Sequence, residues 1–381
     1  MDTPGFNLRH LRAFAKTYEL GTLLAAARAV HITQPALTQG LARLEDQIDA
    51  RLFERQSDGM RPAEAAELLY PRVVTALELI RSSRVTHTQM HAFLALAKEG
   101  NYAEASAATG LARASLHRAV ADLELALSQK LLRRRGRGLE LTPTGRATAR
   151  RFSLAQSELT AALEEIRALK GEAAGRIAIG AMPLCRARVL PASIVAFQEA
   201  HPRSEIRVAE GSYGELLDPL RDGELDFLIG ALRDPPPGPD LLQEPLFDDR
   251  PVIVARSGHP LAGSGGAAGI DQLSRYDWCV PQRGVPLRER WQAMFDDAGV
   301  KPPHVRVECG SVITIRQILM TTDCLTILSP DQVVIELEAG WLSIVGRGPD
   351  GLTRTIGLTC REGWRPTSLQ RAFIETLKSV C

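Results

Sequence analysis

The clearest chemical pattern in the sequence is a set of polar side chains around a predicted helix over residues 35–48. They stand at its start and along one face, and they are Thr33, Gln34, Pro35, Thr38, Gln39 and Arg43. Thr33 can cap the helix, and Pro35 suits its first turn. Amide, hydroxyl and guanidinium groups placed in this way can hydrogen-bond to base edges and phosphates in the major groove of DNA. The spacing predicts a duplex-binding helix, and the alternative is an ordinary solvated helix face.

A second group of candidate DNA contacts lies in a basic stretch of the chain. Residues 84–157 contain 12 Lys and Arg against 5 Asp and Glu, whereas residues 1–82 contain 10 of each. A local positive excess of this kind attracts phosphate, and the alternative is a solvated basic surface. The residues of this stretch that we expect to contact DNA are Arg113, Ser115, His117, Arg118, Arg133, Arg134, Arg135 and Arg137.

The sequence contains none of the motifs that would indicate an enzyme, such as HExxH, a G-x-S-x-G elbow or an Asp-rich metal loop. Gly263–Gly269 is glycine-rich, but no Lys-Ser or Lys-Thr pair follows it, so we expect a flexible surface loop. His259 precedes Pro260 in a short motif that favours a structural role. The six cysteines form no CxxC pair and predict reduced, buried thiols. We therefore expect no catalytic residue, no metal and no cofactor.

A repeat near the N-terminus must position the candidate DNA contacts. Residues 8–60 match residues 87–139 at a constant offset. Identical pairs include Gly21 and Gly100, Leu44 and Leu123, and Glu45 and Glu124. Beyond this stretch we expect the register to slip by two residues, so that Pro62 corresponds to Pro143. In each copy the apolar spacing predicts two helices, a sharp turn, a third helix and a wing.

Length and composition indicate a multidomain globular protein. The chain has 381 residues, 45% of them hydrophobic and 24% charged, with a net charge of +1. No apolar run approaches the roughly 20 residues that a membrane span needs. The first residues show no basic segment followed by an apolar one, as a secretion signal would have. We therefore expect a cytoplasmic location and no membrane partner.

Several motifs of the first copy resemble the N-terminal domain of LysR-type transcription regulators. They are Leu8–Phe14, Ala25–Ala27, Ile32–Thr38, Leu44-Glu45 and Leu52–Arg55. In that family the segment matched by residues 33–43 is the recognition helix. The second copy lacks the Gln-Pro pair, but its wing, residues 133–145, is closer to the family pattern. Because members usually carry one such unit, the duplication is the unusual feature of this chain.

The duplication suggests a division of labour between the two copies. The second would supply most of the salt-dependent phosphate affinity through its arginines, including Arg113 and Arg118. The first would contribute more base discrimination through Gln34, Thr38, Gln39 and Arg43. The alternative is that one copy no longer contacts DNA and remains as a packing partner.

Long helices are predicted after each copy, at residues 64–82 and 145–170, with Pro71 expected to kink the first of them. The later segment resembles the linker helix that pairs two subunits in the LysR family. The two helices can pair with each other within one chain or with a second chain, and the sequence leaves both arrangements open.

Beyond a hinge at residues 171–175, short apolar strands alternate with helices, which suggests parallel α/β layers. This part resembles the effector-binding domain of the same family, which is similar to a two-lobed periplasmic binding protein. We predict an all-α region of tandem winged helix-turn-helix units with a linker helix, followed by this two-lobed α/β domain. The predicted boundaries are 1–82 and 83–145 for the two units, 146–170 for the linker helix and 175–381 for the effector domain, with lobe I at about 175–254 and 350–381 and lobe II at about 255–349.

Ligands of such sheets bind at the carboxyl ends of the strands, in the crevice between lobes. The residues that we expect to line this crevice are Met182, Pro183, Leu184, Cys185, Tyr213, Ala231, Arg283 and Ser311. Helix N-termini and Arg283 favour a carboxylate or another anion. Many relatives have a hydroxyl residue where Leu184 stands, which suggests a more apolar or differently held ligand here.

The resemblance implies a sequence-specific transcription regulator controlled by a small, anionic metabolite. The expected partners are double-stranded DNA, an aromatic or sugar-derived carboxylate as effector, RNA polymerase and further copies of the chain in a dimer or tetramer. The competing interpretation is a ligand-binding module that has lost DNA binding. The polar face from Gln34 to Arg43 argues against it.

Overall fold

The computed structural model describes residues 5–57, 59–136, 138–172, 175–349 and 351–381. Arg137, one of the expected DNA contacts, lies outside them. The first N-terminal unit comprises α1 (Leu8–Leu20), α2 (Leu23–Ala29), α3 (Gln34–Ile48), β1 (Phe53–Gln56), β2 (Gly59–Pro62) and α4 (Glu64–Ile80). The second comprises α5 (His87–Glu99), α6 (Tyr102–Thr109), α7 (Arg113–Leu127), β3 (Leu132–Arg135), β4 (Gly138–Leu141) and α8 (Pro143–Leu169). In both units an antiparallel hairpin forms the wing.

The repeated Leu-Glu pair has a structural cause in both units. Glu45 Oε1 accepts the backbone N–H groups of Leu52 and Phe53, at 2.7 and 3.4 Å. Glu124 does the same for the two equivalent residues of the second unit, at 2.8 and 3.3 Å. A carboxylate that satisfies two adjacent N–H groups fixes the start of the wing on the third helix. The wing also donates to the turn after the first helix, from Met60 N to Gly21 O at 2.7 Å.

The predicted slip of register after the wing is wrong. Ala63 N donates to Leu52 O and Thr142 N donates to Leu131 O, both at 2.9 Å. These donors occupy the same place in the two units, immediately before α4 and α8. Thr142 and Ala63 therefore correspond, and Pro143 is equivalent to Glu64. The slip was inferred from Pro62 and Pro143, which lie at nearly equivalent positions. The backbone hydrogen bonds show that the offset stays constant.

The two long helices α4 and α8 pack against each other within the chain. Arg72, in the middle of α4, meets Glu158 and Glu165 of α8, whereas Arg81, just after α4, lies near Arg151 at the start of α8. The helices therefore run antiparallel. Of the two arrangements that the sequence left open, the structure contains the intramolecular one. The apolar faces of both helices belong to a core that is continuous through both units.

The C-terminal part forms two lobes. Lobe I contains β5 (Arg176–Ala181), α9 (Val189–Ala200), β6 (Glu205–Glu210), α10 (Tyr213–Arg221), β7 (Phe227–Ala231) and β8 (Leu241–Asp249). Lobe II contains β9 (Val252–Arg256), α11 (Ile270–Leu273), β10 (Trp278–Val280), α12 (Pro286–Asp296), β11 (Val305–Glu308), α13 (Val312–Thr321), β12 (Thr326–Leu328), α14 (Val334–Glu338) and β13 (Leu342–Arg347). The chain then returns to lobe I with β14 (Arg354–Arg361) and α15 (Ser368–Val380).

The sheets are mixed, which corrects the expectation of parallel layers. In lobe I the order is β6-β5-β7-β14-β8. The strands β5, β6 and β7 are parallel, and β14 pairs antiparallel with both β7 and β8. In lobe II, β12, β9 and β13 pair antiparallel, and β10 pairs with β11 in parallel. Strand β8 was not predicted from the sequence, because Pro245 interrupts its apolar pattern. The strand accommodates that proline at an irregularity on the edge of the sheet.

Within the described residues, no helix is long and apolar enough to span a membrane. All six cysteines are free thiols. Cys185, Cys279 and Cys324 are buried as expected, Cys309 and Cys360 are half-buried, and Cys381 is exposed. Among the same residues, no group of His, Cys, Asp and Glu side chains could hold a metal ion.

Candidate functional sites

The first candidate site is the outer face of α3. Gln34, Pro35, Gln39 and Arg43 are exposed, while Leu37, Leu41, Leu44 and Ile48 are buried on the opposite side. Thr33 Oγ1 accepts the N–H of Ala36 at 3.4 Å and so caps the helix, as predicted from its residue type. Thr38 is half-buried, and its hydroxyl donates to Gln34 O at 3.0 Å. The polar side chains therefore face solvent rather than the core.

The equivalent face of α7 carries Arg113, Ser115, His117 and Arg118, all of them exposed. The His117 ring stacks on Tyr102 with a centroid separation of 3.6 Å. This stacking holds the imidazole at the junction of α7 and α6. The second unit thus presents a more cationic helix at the same place in its fold.

The wing of the second unit adds further positive charge. Arg133 and Arg135 both pair with Glu140, at 2.9 and 3.4 Å, and these two guanidinium groups remain more than half exposed. In the part of the chain that the structure describes, Arg134 is exposed and has no ion-pair partner. A cavity of about 580 Å³ separates this wing from α7, with Tyr102, His117, Arg133 and Arg134 among its lining. The helix and the wing together form one positively charged surface.

The second candidate site is the crevice edge of lobe I. The parallel strands β5, β6 and β7 end side by side, which places Met182–Cys185, Tyr213 and Ala231 at one edge of the sheet. Pro183 is exposed and Leu184 is half-buried there. Cys185 is fully buried, its thiol contacts the carbonyls of Met182 and Ile229, and burial raises its pKa to about 12. Its side chain is a core element and does not line the crevice.

Tyr213 stands at the start of α10, close to the same edge. Its hydroxyl oxygen is buried and has no hydrogen-bond partner among the described residues. The guanidinium of Arg233 lies 4.7 Å from the centroid of its ring. A buried phenol without a partner is costly, so this hydroxyl is available to a ligand or an ordered water.

Lobe II contributes Arg283 and Ser311 at the carboxyl ends of β10 and β11. Arg283 is exposed, and Ser311 Oγ accepts the N–H of Thr314 at 3.4 Å and caps α13. Within the described residues, no hydrogen bond or ion pair joins these residues to Tyr213 or Ala231 across the crevice. The structure therefore places the predicted lining on both lobes without direct contact between the two sets.

Arg288, in the first turns of α12, is a candidate site residue that was not predicted from the sequence. Only 5% of this residue is exposed, and its Nε and Nη1 atoms have no hydrogen-bond partner in the described chain. Its Nη2 lies 3.9 Å from Glu308 Oε1, and its guanidinium lies 4.6 Å from the Trp291 ring centroid. Arginine alternating with acidic residues resembles an ordinary solvated helix face, so the sequence offered no signal for this burial.

The two lobes touch each other at one side of the crevice. The segment Pro183–Cys185 contacts Pro330–Val333. Arg188 of lobe I pairs with Asp331 of lobe II, with Nε 2.8 Å from Oδ1. This ion pair could not be predicted from the sequence, because its partners are far apart in the chain.

A cavity of about 650 Å³ lies between α8 and the opposite edge of lobe I. Glu164 and Asp226 line it, and Glu164 Oε1 accepts the N–H of Arg176 at 3.4 Å. Burial raises the pKa of Glu164 above its ordinary value of 4.5, and the Asp226 carboxylate adds to that rise. The pKa of Asp226 is also raised by burial.

Replacing Glu164 by Gln should make the protein more stable at pH 8 and leave its stability unchanged near pH 4. When the pKa of a carboxyl is higher in the folded state than in the unfolded state, the free energy of unfolding of the protein falls as pH rises through the folded-state pKa. The glutamine oxygen keeps the acceptor for Arg176 but has no charge to bury. Urea unfolding at several pH values measures the difference, with Glu199→Gln on the exposed side of α9 as control. A stability difference between the variant and the wild type that stays constant from pH 4 to pH 8 would contradict the raised pKa of Glu164 in the folded protein.

Comparison with known proteins follows the same division of the chain. The family model for the LysR substrate binding domain matches residues 170–381. The model for bacterial regulatory helix-turn-helix proteins of the lysR family matches twice, at residues 8–67 and 87–146. The chain is 30% identical over 387 residues to the HTH-type transcriptional regulator GalR of Pseudomonas putida, covering 98% of this chain and 97% of GalR.

Solved structures share the fold. A cysteine-to-aspartate variant of full-length OxyR from Pseudomonas aeruginosa matches with a TM-score of 0.56 at 24% identity, over 78% of this chain and 97% of that one. CbnR, a LysR family regulator crystallised in complex with its target DNA, matches with a TM-score of 0.52 at 19% identity, over 77% and 99%. About a fifth of this chain stays unmatched in each case, which is the size of one repeat.

Proposed function

Because the chain belongs to the LysR family of transcriptional regulators, we propose that both of its N-terminal units bind duplex DNA under the control of an anionic effector. The chain is a DNA-binding regulator with an effector-binding domain and not an enzyme. The single observation that carries the proposal for both units is the pair of exposed polar faces on α3 and α7, each backed by a wing.

The division of labour between the units is part of the proposal. The second unit supplies most of the phosphate affinity, because its exposed arginines on α7 and the wing outnumber the cations of the first unit's face. The first unit contributes base discrimination through Gln34, Gln39 and Arg43. Thr38 supports this face from a half-buried position by its bond to the α3 backbone.

Replacing Arg134 and Arg135 by alanine should reduce the slope of log affinity against log salt by about 2, since each neutralised phosphate contributes about 0.9. Fluorescence anisotropy of a labelled duplex, titrated at several salt concentrations, measures that slope. The control is the exposed pair Arg275 and Arg290 in lobe II, replaced in the same way. An unchanged slope would show that the wing of the second unit does not contact the duplex. A wild-type protein without salt-sensitive affinity for duplex DNA would overturn the proposal as a whole.

The effector is an anionic, carboxylate-bearing metabolite of aromatic or sugar-derived type. Three features support this choice: the exposed guanidinium of Arg283, the buried guanidinium of Arg288, and the hydroxyl of Tyr213, which has no hydrogen-bond partner among the described residues. Two arginines and the N-termini of α12 and α13 favour negative charge at the lobe II side. The half-buried Leu184 supplies apolar surface on the lobe I side, whereas the Met182 side chain is buried in the core of lobe I.

Effector binding acts by shifting the balance between two arrangements of the lobes, which requires a different affinity for each. Lobe I also contacts the N-terminal region, through Arg150 Nε to Asp222 Oδ1 at 2.7 Å and Arg72 Nη2 to Arg365 O at 3.1 Å. A movement of lobe I is therefore transmitted to α8 and α4. The regulator acts on the chromosome in the cytoplasm, with RNA polymerase as a further partner and with copies of itself in a dimer or tetramer.

A further inference from the structure

The recognition helices α3 and α7 occupy equivalent places in the two units but carry unlike side chains. The constant offset places Arg113 where the first unit has Gln34, and Arg118 where it has Gln39. It also places Asp122 where the first unit has Arg43. All six of these residues are exposed. The backbone of the recognition surface is thus repeated, while its chemistry is not.

These differences matter because each residue type prefers a different base in the major groove. Glutamine forms a bidentate pair with the N6 and N7 of adenine, whereas arginine does so with the O6 and N7 of guanine. A carboxylate accepts a hydrogen bond from the N4 amino group of cytosine. A good bidentate pair discriminates against the wrong base by roughly 5- to 150-fold. The first unit therefore suits adenine, and the second suits guanine.

The antiparallel packing of α4 and α8 relates the two units by an approximate two-fold axis. Two-fold symmetric dimers of helix-turn-helix proteins bind inverted half-sites whose sequences are alike, because both half-sites meet the same side chains. In this chain, one polypeptide provides both units, and no symmetry makes their side chains identical. The apolar faces of α4 and α8 are already buried against each other, at Leu69, Val73 and Ile80 on one side and Phe152 and Leu159 on the other.

We propose that one chain recognises a non-palindromic duplex whose two half-sites are inverted in geometry but unlike in base content. The half-site under α3 carries adenine opposite Gln34 and Gln39. The half-site under α7 carries guanine opposite Arg113 and Arg118. These two arginines then bind bases, and the phosphate affinity proposed for the second unit comes from the arginines of its wing. The inference rests on the proposed function, since it requires both units to contact the duplex.

Selection of duplexes by the full-length protein tests the proposal directly. The library has a random window of about 20 base pairs, which holds two half-sites one helical turn apart. The expected motif is asymmetric, with conserved adenine in one half and conserved guanine in the other. A palindromic motif, a motif confined to one half, or salt-sensitive binding without base preference would overturn this inference. Absence of any duplex affinity would instead overturn the proposed function.

A variant of α3 tests which half of the selected motif each recognition helix determines. Gln34→Arg combined with Gln39→Arg gives α3 the side chains of α7 at those positions, on an exposed face where the fold does not depend on them. The half-site that contained adenine should then select guanine, while the other half stays the same. Gln198→Arg with Gln317→Arg, on exposed faces of α9 and α13, adds the same charge away from α3 and should leave the motif unchanged. Equal changes in both half-sites of the motif, or no change in either, would contradict the assignment of the adenine half-site to α3.

Discussion

Replacing Arg72 by alanine should lower the free energy of unfolding of the N-terminal region by about 3–5 kcal/mol. The Arg72 side chain is only 4% exposed, and it pairs with Glu165 at 2.7 Å and with Glu158 at 3.2 Å. It also donates to the carbonyl of Arg365 in lobe I. Its loss leaves two largely buried carboxylates without their guanidinium and cuts a link between α4, α8 and the effector domain. The cost of uncompensated buried charge dominates over the lost side-chain volume.

Urea unfolding followed by far-ultraviolet circular dichroism measures this loss, since the N-terminal region is almost entirely helical. The matched control is Arg133→Ala, which removes a guanidinium from an exposed pair with Glu140 and should cost less than about 1 kcal/mol. A combined variant, Arg72→Met with Glu158→Leu and Glu165→Leu, should recover much of the stability, because it removes all three buried charges together. Equal effects of Arg72→Ala and Arg133→Ala would show that α4 and α8 do not depend on this cluster.

The sequence was sufficient to predict the repeated units because their pattern depends on local chemistry. Thr33 as a cap, Gly21 at a left-handed position after α1 and the buried leucines of α3 are all consequences of neighbouring residues. The pairing of α4 with α8 was not predictable in this way. Both helices carry an apolar stripe, and a stripe of the same kind would suit a partner in the same chain or in another.

The crevice shows where prediction from sequence fails and why. Strand ends could be located, so the positions of Tyr213, Ala231 and Ser311 at the edges of their sheets follow from the pattern. The state of each side chain depends on packing between distant segments. Cys185 was expected at the crevice but points into the core, whereas Arg288 was passed over although its guanidinium is buried without sufficient partners. Burial of a single polar atom is a tertiary property and leaves little trace in residue order.

Replacing Arg288 by methionine should raise the stability of the protein by about 1–3 kcal/mol and at the same time weaken its response to the effector. The guanidinium has two buried N–H donors without a partner in the described chain, and the nearest carboxylate, on Glu308, is half-exposed and 3.9 Å away. Burial lowers the pKa of Arg288, which is the direction expected of a charge that lacks compensation. Methionine has a similar length and retains contact with Trp291, so the gain from removing unsatisfied donors exceeds the loss of the cation–π contact.

Thermal and urea unfolding in the absence of ligand measure the first part of this expectation, and duplex binding in the presence of a panel of aromatic and sugar carboxylates measures the second. Arg290→Met is the control, since Arg290 lies one half-turn further along α12 and is exposed. Burying an unpaired cation lowers stability, so we expect an anion to complete the site at Arg288, near the N-terminus of α12. If Arg288→Met lowers stability, the guanidinium is already compensated within the lobe and the anion must bind elsewhere. If Arg288→Met stabilises the protein but leaves its response to carboxylates intact, Arg288 does not bind the effector. Arg283 then becomes the remaining cationic partner for the effector.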